Sequence, residues 1–320
     1  MVVPANVRDQ VSLSYLFARA ADTIADADLI DRPRRLDFLN QFRAQFATGQ
    51  IQWEQIRAIQ SAVGPLQKDS AERILLERLE DCFRLFQEFA ADDRRRVQRL
   101  MTTLTQGMEM DLTVFPGNSA KDVTALKTMD DLDRYTYYVA GCVGEFWTDL
   151  MCAHRPALAN WNVADMSRSG VRFGKGLQLT NIVKDLAHDL QRGRCYVPQP
   201  LLQEAGLKPS DLLDHNSLLK FRPALKKLLR MAVEHLDQGW LYTMAIPRSE
   251  TRLRLSCMWP ILSAGESLRL VMTSSDLLNP AVKVKIPRSK VYQIMALTTL
   301  TAACGYVWTA YWGRLRKQLV

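Results

Sequence analysis

Two pairs of aspartates, far apart in the sequence, could act together on a metal ion. Asp22 and Asp26 lie four residues apart within SLSYLFARAADTIADAD, and Asp185 and Asp189 have the same spacing within GKGLQLTNIVKDLAHDL. Four residues are about one helical turn, so each pair projects its carboxylates from one face of a helix. Carboxylates flanked by apolar residues are costly unless a partner neutralises them. We expect that partner to be Mg²⁺, which is held by carboxylates, waters and substrate phosphates.

Other polar side chains share the same two helix faces. Tyr15 and Arg19 precede the first aspartate pair at helical spacing, and Gln178 and Asn181 precede the second pair in the same way. A phenol and a guanidinium therefore accompany one pair, and two amides accompany the other. Two surface helices with capping or salt-bridging acids are the alternative, but matched polar faces with apolar flanks favour a binding site.

Four segments resemble motifs of the squalene/phytoene synthase family, whose members join two prenyl diphosphates head to head. D-T-I-A-D at 22–26 is similar to the first aspartate-rich motif, and N-I-V-K-D-L-A-H-D at 181–189 is similar to the second. The stretch Y-T-Y-Y-V-A-G-C-V-G at 135–144 resembles the Y-x-x-Y-V-A-G-x-V-G helix, and G-R-C-Y-V-P at 193–198 resembles G-R-x-Y-x-P. Residues 281–295 resemble the V-K-I stretch of squalene synthases.

The resemblance implies a fold and a role for each site residue. The fold would be a single helical domain over residues 1–320, a bundle of the isoprenoid synthase type with a central cavity. Mg²⁺ ligands would be Asp22, Asp26, Asn181, Asp185 and Asp189. Residues binding the substrate diphosphate would be Arg19, Gln178, Lys184 and Arg194. The catalytic proton acceptor would be Tyr15 or Tyr138, or the released diphosphate itself.

The implied reaction is the condensation of two farnesyl diphosphates, through presqualene diphosphate, to squalene. The C-terminal resemblance favours this product, which requires NADPH in the final step. Phytoene, dehydrosqualene and presqualene diphosphate synthases are alternatives, because chain length depends on pocket depth. A non-catalytic helical assembly factor of the same fold is an alternative of another class, and the intact aspartates argue against it.

Two departures from the family pattern bear on the site. The upstream S-R-[ST]-F segment, which helps to cover the diphosphate, is not found in this sequence. The resemblance then implies either a start recorded too late or a missing flap over the substrate. Lys184 stands where the family mostly has Arg, which keeps the charge but loses the bidentate fork. Neither departure removes an aspartate of the two pairs.

Composition narrows the expected partners. The chain has a net charge of +8 and a pI near 9.2, but its basic residues are dispersed, so we expect no nucleic-acid partner. The six cysteines show no C-x-x-C pair and are typical of reduced, buried residues in a cytoplasmic protein. We expect a monomer that acts on prenyl diphosphates and makes peripheral contact with a membrane.

The segment 294–312 is almost uncharged and close to the length that spans a membrane. It contains several threonines and falls where the family has its last core helix. Two interpretations remain open, a core helix or a C-terminal membrane anchor. Arg314, Arg316 and Lys317 would suit either a helix C-terminus or a cytoplasmic membrane edge.

Helical periodicity dominates the chain, and strand patterns are nearly absent, which predicts an all-α bundle. Within QGMEMDL, Glu109 and Asp111 are interpreted as surface or capping acids, with a role behind the site as the alternative. Tyr135 and Tyr137 are interpreted as packing or capping residues. The predicted helices cover residues 33–47, 71–90, 94–112, 130–152, 170–190, 218–243, 251–275 and 288–312.

Overall fold

Helices form nearly all of the regular structure, which confirms the predicted all-α class. The computed structural model describes residues 2–47, 50–301 and 305–319, and these residues form a single helical domain. The helices are α1 (Arg8–Ala25), α2 (Arg32–Ala47), α3 (Trp53–Val63), α4 (Ser70–Glu77), α5 (Leu79–Glu88), α6 (Ala91–Val114), α7 (Met129–Thr136), α8 (Cys142–His154), α9 (Val163–Lys184), α10 (Leu186–Gln191), α11 (Gln199–Glu204), α12 (Leu218–Ala245), α13 (Thr251–Thr273), α14 (Arg288–Leu300) and α15 (Gly305–Leu319).

Three predicted helices are interrupted at single turns. The segment 71–90 divides at Arg78, which leaves helical geometry between α4 and α5. The segment 130–152 contains a π-helical turn, Tyr137–Gly141, and such turns are frequent at functional sites. The segment 170–190 bends at Asp185, whose N–H still bonds to the Asn181 carbonyl at 2.8 Å. The bend therefore falls on the second aspartate motif.

The predicted helix over 288–312 is two helices rather than one. α14 ends at Leu300 and α15 begins at Gly305, while residues 302–304 lie outside the described part of the chain. Trp308 and Trp312 are 1% and 3% exposed, so the core interpretation holds for this side of α15. Among the described residues, no helix combines the length and apolar character needed to cross a bilayer.

Two apolar clusters support the site from either side. One is built around α9, α12 and α13, and the other joins α1, α2, α5, α6 and part of α8. In the second cluster Phe17 lies among other aromatic rings, with centroids 4.7 Å from Phe83 and 5.0 Å from Phe46. Burial of these rings fixes α1 against α2 and α5, because large aromatic side chains contribute much of a core's stability.

A two-residue parallel strand pair was not predicted from the sequence. β1 (Thr124–Ala125) pairs with β2 (Arg194–Cys195), and the N–H of Thr124 donates to the Gly193 carbonyl at 3.0 Å. Gly193 has a φ of 77°, a left-handed conformation that suits glycine and turns the chain out of α10. The strand pair therefore fixes the backbone of Arg194 just after the second aspartate motif.

Helices α8 and α9 approach each other closely at glycines. A Cβ added to Gly144 would collide with the Gly170 carbonyl and lie 2.9 Å from the Val171 nitrogen. No flexible side chain is available there to move aside. This contact explains why a glycine occupies a helix position at which it costs about 1 kcal/mol relative to alanine.

We predict that Gly144→Ala destabilises the protein by about 2 kcal/mol or more, because the new methyl group meets backbone atoms. Thermal unfolding followed by circular dichroism measures the change. The matched control is Gly313→Ala on α15, where a Cβ would meet nothing within 4 Å. That control should be neutral or slightly stabilising, and equal melting temperatures for the two variants would contradict the close approach.

Candidate active site

The first aspartate pair lies at the C-terminal end of α1. Asp22 is about half exposed and accepts a hydrogen bond from Arg19 at 2.8 Å, while the second Nη of Arg19 bonds to Glu72 on α4. Asp26 follows the helix, and its N–H donates to the Asp22 carbonyl at 2.9 Å. Partial burial and the nearby Asp26 raise the pKa of Asp22. The neighbouring arginines therefore do not fully compensate the charge of this carboxylate.

Two arginines from the segment after α10 bind the carboxylate of Asp26. Arg192 donates to one oxygen at 3.1 Å, and Arg194 donates to the other at 3.0 Å. Burial would raise the pKa of Asp26, but the two guanidinium groups outweigh it and hold that pKa below its usual value. These contacts join the first motif to the chain that follows the second.

The second aspartate pair lies where α9 passes into α10. Asp185 is half exposed and lies 3.1 Å from the Lys184 ammonium. Burial, and then the charge of Asp185, raise the pKa of Asp189 to about 7. One turn earlier, the amide of Asn181 donates to the Gln178 side-chain oxygen at 3.5 Å. The residues predicted from this motif therefore lie in sequence along the end of α9 and the start of α10.

Asp111 on α6 belongs to the same cluster, and it is not a surface acid. Its carboxylate accepts hydrogen bonds from Tyr196 at 2.9 Å and from Tyr135 at 3.3 Å, and lies 3.9 Å from the guanidinium of Arg194. Burial raises the pKa of Asp111 to about 7 against the opposing effect of Arg194. The surface or capping interpretation is therefore wrong for Asp111, whose carboxylate lies within the cluster, while a role behind the site stays a prediction.

A sequence signal for Asp111 was available. Leu104 and Met108 precede it at helical spacing, and both are buried, so Asp111 continues the apolar face of α6. A carboxylate on such a face requires a specific partner. Glu109 lies elsewhere on the helix and forms an ion pair with Arg43 at 2.5 Å.

The two tyrosines predicted as proton acceptors are not hydrogen-bonded to this cluster. Tyr15 is 67% exposed, and Tyr138 is half-buried with its ring 5.9 Å from the ring of Tyr137. Tyr135, interpreted as a packing residue, instead stacks on Tyr196 with ring centroids 4.6 Å apart and donates to Asp111. Burial and Asp111 raise the pKa of the Tyr135 hydroxyl well above its ordinary value, so it is a donor here.

A cavity of about 1010 Å³ opens between α6, α8 and the start of α9. Phe46, Leu100 and Phe146 provide much of its apolar lining, and Arg95 and Arg99 stand at its side. Its lining reaches Thr103, about 12 Å along α6 from Asp111 at the usual helical rise. This cavity therefore lies apart from the aspartate cluster, and none of the site aspartates lines it.

The donor set of the cluster fits a hard divalent cation. Asp22, Asp185 and Asp189 supply carboxylate oxygens. Burial first, and then the charge of a neighbouring aspartate, raise the pKa values of Asp22 and Asp189, and a bound cation would offset both effects. Asp26 is different because both of its oxygens bind arginines. Within residues 2–47, 50–301 and 305–319, no three acidic, histidine or cysteine side chains converge into a metal centre by themselves. Substrate oxygens would have to complete the coordination.

The chain belongs to the squalene/phytoene synthase family, whose model matches residues 1–290. A squalene synthase of Saccharomyces cerevisiae is 24% identical over 313 residues, which is 98% of this chain and 66% of that protein. A chloroplastic phytoene synthase of Narcissus pseudonarcissus is 30% identical over 158 residues, which is 49% of this chain and 33% of that protein. The chain thus spans between one third and two thirds of the length of these relatives.

Solved structures share the fold. A complex of TcSQS with the ligand E5700 superposes with a TM-score of 0.79 at 22% identity, covering 100% of this chain and 85% of that chain. The squalene synthase HpnC from Alicyclobacillus acidocaldarius gives a TM-score of 0.57 at 17% identity, covering 91% of this chain and 86% of that chain. The helical arrangement is therefore that of the isoprenoid synthases of this family.

We predict that Asp111→Asn stabilises the metal-free protein at high pH. The folded state disfavours the charged carboxyl, so the wild type loses stability as the pH rises from about 4 to above 7. The variant should melt about 2–6 °C higher than the wild type at pH 8, and the difference should shrink towards pH 5.

Thermal melts in chelator across this pH range measure the effect, with the exposed Asp130→Asn as the control. A variant that is less stable than the wild type at pH 8 would show that Arg194 and the two tyrosines stabilise the carboxylate more than burial penalises it.

Proposed function

We propose that the protein is a Mg²⁺-dependent prenyltransferase that condenses two farnesyl diphosphates head to head, through presqualene diphosphate, to squalene. The observation that carries the proposal is the pair of arginine contacts on Asp26, which unites the two aspartate motifs. Squalene is favoured over other products because the squalene synthase relative aligns with nearly the whole chain. Phytoene is the second candidate, since the phytoene synthase relative has the higher identity over a shorter region.

The guanidinium groups of the cluster would bind the substrate diphosphate. Arg192 and Arg194 already make charge-assisted hydrogen bonds to a carboxylate, and the same fork geometry matches phosphate oxygens. Arg19 and Lys184 would add positive charge beside Asp22 and Asp185, with Gln178 as a neutral donor. These contacts would orient the diphosphate at the ends of α1 and α9.

Bound Mg²⁺ would be held by Asp22, Asp26, Asp185 and Asp189, with Asn181 beside them, and it would neutralise the departing diphosphate. Asp26 can join this set only if Arg192 and Arg194 release its oxygens. Once Asp26 binds the metal, both guanidinium groups would be free to donate hydrogen bonds to the substrate diphosphate instead.

The apolar cavity would hold prenyl chains and exclude water from the reacting carbons. A carbon–carbon bond forms as the allylic diphosphate departs, and loss of a proton then closes the cyclopropane ring. We propose Tyr15 or Tyr138 as the proton acceptor, or the released diphosphate. Tyr135 would instead keep Asp111 and Arg194 in place, because its hydroxyl donates to that carboxylate.

We further propose that NADPH delivers the hydride of the last step if squalene is the product. The expected setting is the cytoplasm, where a monomer would contact a membrane peripherally, since the prenyl chains of substrate and product partition into lipid. The basic charge of the chain supports contact with anionic headgroups.

Product analysis tests the proposal. The purified protein is incubated with Mg²⁺ and either farnesyl or geranylgeranyl diphosphate, with and without NADPH, and the products are analysed by liquid chromatography and mass spectrometry. We expect squalene with NADPH and presqualene diphosphate without it. Phytoene from geranylgeranyl diphosphate alone would support the second candidate. No coupled product from either substrate would refute prenyl transfer.

We predict that Asp22→Asn or Asp185→Asn lowers turnover by about 10³-fold or more, because each removes charge that holds the metal. Both variants should remain folded. The melting temperature of metal-free Asp22→Asn should not fall, because the wild-type fold disfavours the charged form of the Asp22 carboxyl. Turnover at saturating substrate measures the effect, with Asp130→Asn as the control. Turnover near that of the wild type for either variant would refute the assignment of metal ligands.

We predict that Tyr138→Phe lowers turnover by about 10²-fold if its hydroxyl takes part in proton transfer. The hydroxyl forms no hydrogen bond to any described residue, so the melting temperature should not change. Steady-state kinetics and product profiles measure the effect, with Tyr292→Phe on exposed α14 as the control. Unchanged rate and products would assign Tyr138 to packing and leave Tyr15 or diphosphate as the acceptor.

A further inference from the structure

The C-terminal part of the chain concentrates positive charge. Residues 277–320 contain no aspartate or glutamate and seven lysines and arginines, while the whole chain has a net charge of +8. Nearly all of the net charge therefore belongs to this segment. The basic residues are Lys283, Lys285, Arg288, Lys290, Arg314, Arg316 and Lys317.

Two of these cations are used inside the fold. Lys290 bonds to the buried Glu266 at 3.0 Å, and Arg316 bonds to Asp237 at 2.7 Å. The other five are exposed and have no ion-pair partner within the part of the chain that the structure describes. Three of the five, Lys283, Lys285 and Arg288, lie together at the entrance to α14.

An apolar surface follows these three cations. Tyr292, Leu297 and Leu300 on α14 are 64%, 45% and 84% exposed. No charged residue lies between Lys290 and Arg314 in the sequence. We call these three residues of α14 the C-terminal apolar face.

The orientation of α14 is fixed by its inner side. Ile294 and Thr298 are 4% and 0% exposed, and the Thr298 hydroxyl accepts a hydrogen bond from the Trp259 indole at 2.7 Å. At the N-terminal end, the bond between Lys290 and Glu266 holds the helix against α13. The exposed residues therefore face outward, because the opposite side of α14 is buried and bonded to α13.

Isolated exposed apolar residues are ordinary, but clustered ones mark a contact surface. Leu219 and Leu241 on α12 are also exposed, yet they lie about six helical turns apart, and lysine follows Leu219 directly. The C-terminal apolar face instead has three such residues within about three turns of α14. A partner with both apolar and anionic character would match it.

We propose that the C-terminal apolar face and the cations at 283, 285 and 288 dock the protein on an anionic lipid bilayer. The aromatic and leucine side chains would enter the boundary between headgroups and acyl chains, and the cations would contact the headgroups. The contact that we propose is superficial, with α14 lying at the bilayer surface. The proposal rests on the peripheral membrane contact proposed above and identifies its surface.

Vesicle co-sedimentation tests the surface without substrate or turnover, so its result is separate from that of the product analysis. The full chain is mixed with phosphatidylcholine vesicles, or with the same vesicles containing about 30% phosphatidylglycerol to supply a negative surface potential. Two variants remove the two components of the surface. They are Leu297→Glu with Leu300→Glu, and Lys283→Gln with Lys285→Gln and Arg288→Gln.

Matched controls change equally exposed residues elsewhere. Leu219→Glu with Leu241→Glu controls the apolar pair, and Lys68→Gln with Lys220→Gln and Lys226→Gln controls the cations. Melting temperatures confirm that each variant is folded. Because all of the changed side chains are at least partly solvent-exposed, folding should be retained in every case.

We expect the wild type to bind anionic vesicles and to bind neutral ones weakly. The cation variant should bind anionic vesicles about 100-fold more weakly, and the apolar variant at least about 10-fold more weakly, while both controls retain binding. If the wild type does not bind anionic vesicles, the proposal is wrong. That result would favour a protein as the partner of this surface. The proposal would also be wrong if the control variants lost as much binding as the test variants. It would be wrong as well if the wild type bound neutral and anionic vesicles equally.

Discussion

Carboxylate crowding at the ends of α1, α6 and α9 is the constraint on which the rest of the structure depends. Asp22, Asp26, Asp111 and Asp189 interact through their charges, and burial makes that repulsion more costly. Arg194 lies within reach of both Asp26 and Asp111, and its guanidinium offsets part of the repulsion. The positions of α1 and the segment after α10 are therefore coupled through charge. A bound cation would offset more of the carboxylate repulsion, and a diphosphate would pair with the guanidinium groups.

The surrounding fold holds these charged groups at fixed distances. The strand pair of Thr124–Ala125 with Arg194–Cys195 fixes the backbone that carries Arg194, and the stacked Tyr135 and Tyr196 hold Asp111 from the other side. The phenylalanine cluster around Phe17 fixes α1. The helices therefore hold the carboxylates and guanidinium groups close together before any ligand binds, and the rearrangement that we expect on binding is the release of Asp26 by Arg192 and Arg194.

The sequence identified the helical class and both aspartate pairs because periodicity and spacing are local properties. It missed the bends at Arg78 and Asp185, which depend on how neighbouring helices pack. It also placed Asp111 at the surface, because the tyrosines and the arginine that surround it are distant in sequence. The division between α14 and α15 was missed for a similar reason: the apolar composition of the segment is continuous, whereas its burial alternates between the core and an exposed face.

The position of the metal relative to both aspartate pairs tests the central claim most directly. Crystals grown with Mn²⁺ and a non-hydrolysable farnesyl diphosphate analogue would be measured at a wavelength at which manganese scatters anomalously. We expect anomalous peaks between the diphosphate and the carboxylates of Asp22 and Asp185 or Asp189, with Arg194 bound to diphosphate oxygens. Peaks away from both motifs, or a diphosphate bound elsewhere without metal, would contradict it.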